Sequence, residues 1–175
     1  ISEEELKECF KDEIAEFATA NEMDVPQALT TLKMHYDGYH FASSSPDIYN
    51  PFSLLQALKN QNTDAYWFGS GTPTFLIEML RKFGMVPSQL GSLIKSSQTS
   101  FDAPSESLNS VIPLLYQSGY ITIKDYDRRS DLYMLGIPNN EVRVGLMQCL
   151  IRNYLHIQEA NTIINIMTSY FLDDD

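Results

Sequence analysis

Three groups of residues have the types and spacing for chemistry. His35, Asp37 and His40 set two imidazoles around a carboxylate, the raw material of a metal site or of acid–base work. A closed zinc pattern needs a further ligand cluster at set spacing, and the sequence shows none. The competing reading is an aromatic-rich turn whose Tyr and His side chains pack and hydrogen-bond locally. Gly69, Ser70 and Gly71 stand directly before Thr72 and Pro73, a cap-and-proline helix start. Free backbone N–H groups at such an end can receive an anion or a nucleotide edge, although the glycines can also serve only a tight turn. No G-x-x-x-x-G-K-[ST] loop occurs anywhere in the chain. The third group is Lys124, Arg128 and Arg129, set beside Asp125, Asp127 and Asp131, a small basic cluster of the kind that touches phosphates.

The elements that must position these groups can be followed along the chain. Ser2 and Glu5 form a capping-box pattern, and Leu6, Cys9, Phe10, Ile14 and Phe17 recur at helical spacing, which predicts one amphipathic helix with a solvated acidic face. Pro26 opens a second helix through Leu29, Leu32 and Tyr36, which Gly38 stops. Asn50 and Pro51 start a third, with Phe52, Leu54, Leu55 and Leu58 as its buried side. A helix after Pro73 buries Phe75, Leu76, Met79 and Leu80 and ends at Gly84. The stretch 86–105 has a weaker pattern, with a short helix over 88–94 and a Ser/Thr-rich connection that marks an internal boundary.

The stretch 108–140 is the most informative. Val111, Ile112, Leu114, Leu115 and Tyr116 form a helix that starts near Asn109 or bends at Pro113. After Gly119, residues 120–123 begin a strand, 127–130 turn, and 132–135 return. Asn139 or Asn140 caps a further helix, and a last one carries Ile163, Ile164, Ile166, Met167 and Phe171. The fold class expected is mainly α with a small β-hairpin: a helical lid over 1–104, then a winged-helix-like module with C-terminal helices over 105–175. Leu114, Leu115, Tyr116 and Tyr120 are expected to be mostly buried.

Composition limits the partners. The 175 residues are 43% hydrophobic and 11% aromatic, a globular balance, and the formal net charge of -11 opposes broad attraction to nucleic acid or an anionic membrane. Cys9 and Cys149 are expected as buried thiols in a reducing, cytoplasmic protein. No apolar run reaches the roughly 20 residues of a membrane span. The absence of an initiating Met suggests a segment of a longer protein.

The set YDGYHF, YNPFSLL, YWFGSGTPTFL, IPLLYQSGYITIKDY and YMLGIPNNEVR resembles the C-terminal part of the predicted AAA-type ATPase-like family of Bacteroidetes and other anaerobic bacteria, over almost the whole chain to about residue 154. That resemblance implies a P-loop core upstream that binds ATP and Mg²⁺ through Walker A and Walker B motifs, neither of which is present here. It also implies a downstream effector, often a nuclease-like domain of the PD-(D/E)XK superfamily. Gly71, Thr72 and Pro73 resemble the Gly-x-Pro turn that opens a lid helix near the nucleotide in related P-loop ATPases, which makes Arg81 the candidate for sensing phosphate charge. The alternative for Arg81 is a surface cation favoured by a helix C-terminus.

The function expected is therefore that of a non-catalytic regulatory module, with no cofactor of its own. Its partners would be its own ATPase core and effector domain, and it would couple nucleotide state to the effector. The alternative is a nucleic-acid-binding winged helix acting through Lys124, Arg128 and Arg129. It is disfavoured because the helix in the recognition position carries no basic residue.

Overall fold

A computed structural model of the protein describes residues 1–42, 45–67, 74–85, 90–104 and 110–155. The protein is mainly α with one small antiparallel sheet. Its first part consists of α1 (Glu3–Cys9), α2 (Lys11–Ala20), α3 (Val25–Tyr36) and α4 (Pro51–Asn60). The Ser2 hydroxyl accepts from the Glu5 N–H and the Glu5 carboxylate accepts from the Ser2 N–H, completing the capping box. The single helix expected here is broken at Phe10, whose φ of -123° and ψ of 31° leave the helical region. The break re-aims α2 so that Leu6, Ile14 and Phe17 enter one core while Cys9 is exposed, against the expectation of a buried thiol.

Asp24 caps α3 and Asn50 caps α4, each through its side-chain oxygen, with proline in the first turn of both. The core of this part gathers Leu6, Phe17, Leu32, Tyr36, Tyr49 and Leu54. The inward stripe of α4 is Ser53, Leu54, Ala57 and Leu58, whereas Phe52 and Leu55, also expected inside, face solvent. Two overlapping stripes satisfy the same helical spacing, and only the position of the neighbouring helices selects one.

The second part comprises α5 (Thr74–Lys82), β1 (Ile94–Ser96), α6 (Gln98–Phe101), α7 (Ile112–Gln117), β2 (Thr122–Asp127), β3 (Leu132–Gly136) and α8 (Asn140–Leu155). The expected hairpin is present, and β1 joins it as a third strand in the order β1-β3-β2, pairing Ile94 with Leu135. Residue 94 was expected at the end of a helix; three residues are too few to show strand alternation. Leu76, Leu80, Leu115, Ile121, Leu135 and Leu146 form one core spanning both sides of residue 104. Phe75, expected inside, is exposed. Pro113 sits in the first turn of α7, where its missing N–H costs nothing. Leu115 and Tyr120 are buried and Leu114 and Tyr116 pack half-buried against the same core. Truncating Leu115 to Ala would cost about 2–5 kcal/mol. The helix expected near 163–171 lies outside the described residues. No described helix is long and apolar enough to cross a membrane.

Candidate functional site

The two cores meet at a polar junction built from the segment after α3 and the segment before α8. Gly38 adopts φ +91°, and a Cβ there would lie 2.3 Å from the Pro138 carbonyl oxygen, so only glycine permits this approach. The His40 N–H donates to Thr122 Oγ1 (2.9 Å), and the Thr122 hydroxyl donates back to the His40 carbonyl (2.9 Å). Asn139 Nδ2 donates to the Asp37 carbonyl (2.9 Å), while its Oδ1 accepts from the Val142 N–H and caps α8. One side chain thus starts a helix and fastens the other part of the molecule.

Lys124 belongs to the same junction. The β2–β3 register slips between Ile123 and Asp125, leaving Lys124 unpaired in the ladder as a bulge residue. Its ammonium donates to the carbonyls of Gly38 (3.1 Å) and Pro138 (2.9 Å). A Cβ on Gly136 would lie 3.3 Å from Lys124 Cγ, so the lysine stem lies close over this residue. Partial desolvation of the ammonium at the junction lowers the Lys124 pKa from its ordinary value, although the residue as a whole is exposed.

Glu141, in the first turn of α8, holds the chain leading toward residues 68–73. It is 2% exposed, and its carboxylate accepts from the Trp67 N–H at 2.9 Å, with the Tyr66 N–H, which donates to the Asp64 carbonyl, close by. The Ser53 hydroxyl of α4 lies beside it, outside strict hydrogen-bond geometry. Burial raises the Glu141 pKa, and the backbone donors oppose that shift only in part. The Trp67 ring packs on Tyr120 (5.2 Å between centroids) and against Gly119, where a Cβ would come within 3.4 Å. Asp37 is also buried, with its pKa raised by desolvation; its carboxylate sits 3.8 Å from the Lys33 ammonium, which also binds Glu3.

The residues singled out from sequence are distributed differently from the pattern their spacing suggested. His35 Nδ1 lies 2.9 Å from the Thr31 carbonyl of its own helix, and burial lowers its pKa. His40 Nδ1 lies 3.0 Å from Asp47 Oδ1, so the histidines have separate partners. Among the described residues, no group of three or more His, Cys, Asp and Glu is placed to hold a metal ion. Gly71, Thr72 and Pro73 lie outside the described residues, and Arg81 is exposed in the last turn of α5. Lys124 binds the junction carbonyls, whereas Arg128 and Arg129 are exposed on the β2–β3 turn. That turn is tied by Asp127, which accepts from the Arg129 N–H and the Ser130 hydroxyl.

Sequence reasoning missed Glu141, Asn139 as a fastener, and Gly38 as a contact point. In sequence, Glu141 is an ordinary acid at a helix start and Gly38 an ordinary helix stop. Their partners are 74 and 86 or more residues away, and no local pattern encodes them.

No profile of a known family matches the chain, and no solved structure matches it significantly. It is 30% identical over 128 residues to a protein of Azotobacter chroococcum mcd 1 described as "Uncharacterized protein in vnfD 5'region". The match covers 71% of this chain and 24% of that relative, so the chain spans about a quarter of the relative's length.

Proposed function

We propose that this chain is a non-catalytic coupling module of a larger AAA-type ATPase. In this reading a helical lid and a winged-helix-like unit pass the nucleotide state of a P-loop core, which binds ATP and Mg²⁺, to a downstream effector. The observation that supports it most is Glu141. A buried carboxylate at the start of α8 grips the backbone at residue 67, shortly before the Gly-Ser-Gly-Thr-Pro segment of the sequence. A shift of the backbone at Trp67 on nucleotide binding would pull on α8, and so on the second core. The junction is polar and hydrogen-bonded rather than a seamless apolar core, which suits an element with two arrangements. The exposed Cys9 thiol, free of any disulfide, accords with a reducing, cytoplasmic setting, which we include in the proposal.

The nucleic-acid reading is the weaker one. Lys124 is occupied with junction carbonyls, leaving Arg128 and Arg129 on a turn shared with Asp127 and Asp131. The experiment is ATP hydrolysis by the purified chain with Mg²⁺, checked for contaminating ATPase. The coupling reading expects no turnover above background, and measurable turnover by the chain alone would sink it. Salt-sensitive duplex binding abolished by Arg128→Glu with Arg129→Glu would favour the alternative.

A further inference from the structure

A cleft of about 200 Å³ opens on the seam between the two parts, lined in part by the residues that follow His40 and Thr122. From the first part comes Phe41, 69% exposed, the residue after His40. Ala42 beside it also lines the cleft, and the other lining residues belong to the second part. Phe101 is buried there, with Tyr116 and Tyr133 set edge-on to it at centroid distances of 4.7 and 5.3 Å. Gln98 and Asp102 are the polar lining residues, and the Asp102 carboxylate acts electrostatically on the Tyr116 phenol. Among the described residues, no basic residue lines the cleft.

We infer that this cleft receives an arginine side chain presented by a partner polypeptide. Aromatic faces carry negative potential and attract a cation, and a carboxylate at the same opening supplies the countercharge. A planar guanidinium can stack on a ring while its N–H fork reaches the Asp102 carboxylate and the Gln98 amide oxygen, which the compact lysine ammonium cannot do together. The chain's net charge of -11 favours approach of a basic segment. The inference goes beyond the coupling proposal by naming the chemistry of a partner, and it stands or falls separately. Because Phe41 follows a residue fastened to Thr122, an occupant of the cleft touches both parts at once and holds them docked.

The test is a titration of the whole chain with the capped peptide acetyl-Gly-Arg-Gly-amide, followed through the ring NMR signals of labelled tyrosines. Controls are the citrulline and leucine peptides and free guanidinium ion. The expected result is saturable shifts of Tyr116 and Tyr133, with citrulline binding about tenfold or more weaker. Asp102→Asn and Phe41→Ala should each weaken arginine binding several-fold while leaving the melting temperature nearly unchanged, since both side chains are exposed. Saturating arginine peptide should raise the melting temperature. The inference is overturned by absence of saturable shifts, by citrulline or leucine binding as well as arginine, or by indifference of binding to Asp102→Asn. Free guanidinium binding as tightly as the peptide would overturn the polypeptide source.

Discussion

Replacing Gly38 with alanine tests whether the junction is the contact that joins the two cores. The native φ of +91° is left-handed, so any Cβ costs about 1–2 kcal/mol in backbone strain. The larger effect is the contact. The new methyl would sit 2.3 Å from the Pro138 carbonyl oxygen, and because that atom is backbone, no rotamer change relieves the overlap. Separation by an ångström or so endangers four hydrogen bonds across the junction: Lys124 to Gly38, Asn139 to Asp37, and the His40–Thr122 pair. At about 0.5–1.5 kcal/mol each, their partial loss brings the expected total to about 3–5 kcal/mol. Gly84 supplies the control, with φ +63° and nothing within 4 Å of a built Cβ, so Gly84→Ala should cost only about 1–2 kcal/mol from the backbone term. Trp67, the chain's single tryptophan, packs on Tyr120 and reports the docked state by its fluorescence. In urea unfolding, the Gly38→Ala variant should show its Trp67 transition ahead of the far-UV dichroism transition, because each part keeps its own core. Coincident transitions together with a loss no greater than that of Gly84→Ala would refute the reasoning.

Lys124→Met keeps the stem over Gly136 and removes the ammonium, so it should destabilise by about 1–3 kcal/mol through two lost carbonyl contacts, whereas Arg128→Glu should stay within about 0.5 kcal/mol. Equal effects in chemical denaturation would show that Lys124 has no structural task. Glu141 makes a pH prediction of definite sign. Its folded pKa is raised by burial, so the native state holds that proton more tightly than the unfolded chain. Its contribution to stability is fullest below the ordinary glutamate value and declines as pH rises from there through the raised value. Glu141→Gln should remove that decline from the urea midpoint measured across the carboxyl range, and an unchanged pH profile would contradict it. Glu3 works the other way: Lys33 and Lys7 hold its pKa down to about 2, so its contribution is present above the ordinary value and lost as pH falls toward 2. Its exposure to solvent and salt keeps that contribution small, and Glu3→Gln should flatten only the acid limb of the same profile.

Much of the local architecture is legible in the amino-acid sequence. The Ser2–Glu5 box, the Asn50–Pro51 start and the 127–130 turn each depend on atoms a few residues apart, so residue type and spacing suffice for them; spacing narrowed the cap of α8 to Asn139 or Asn140, and the structure selects Asn139. The mainly α class with a small hairpin follows from those signals. Other features had no local signature. The break at Phe10, the exposure of Phe52, Leu55 and Cys9, and the third strand depend on which neighbours are available to pack or pair, and spacing does not specify a neighbour. The junction is the furthest from sequence. Gly38, Lys124 and Glu141 look like a helix stop, a wing cation and a helix-start acid. Tertiary contact turns them into a close approach, a carbonyl clasp and a buried grip on the backbone, because burial and partners 74 to 102 residues away determine what a charge or a missing Cβ can do.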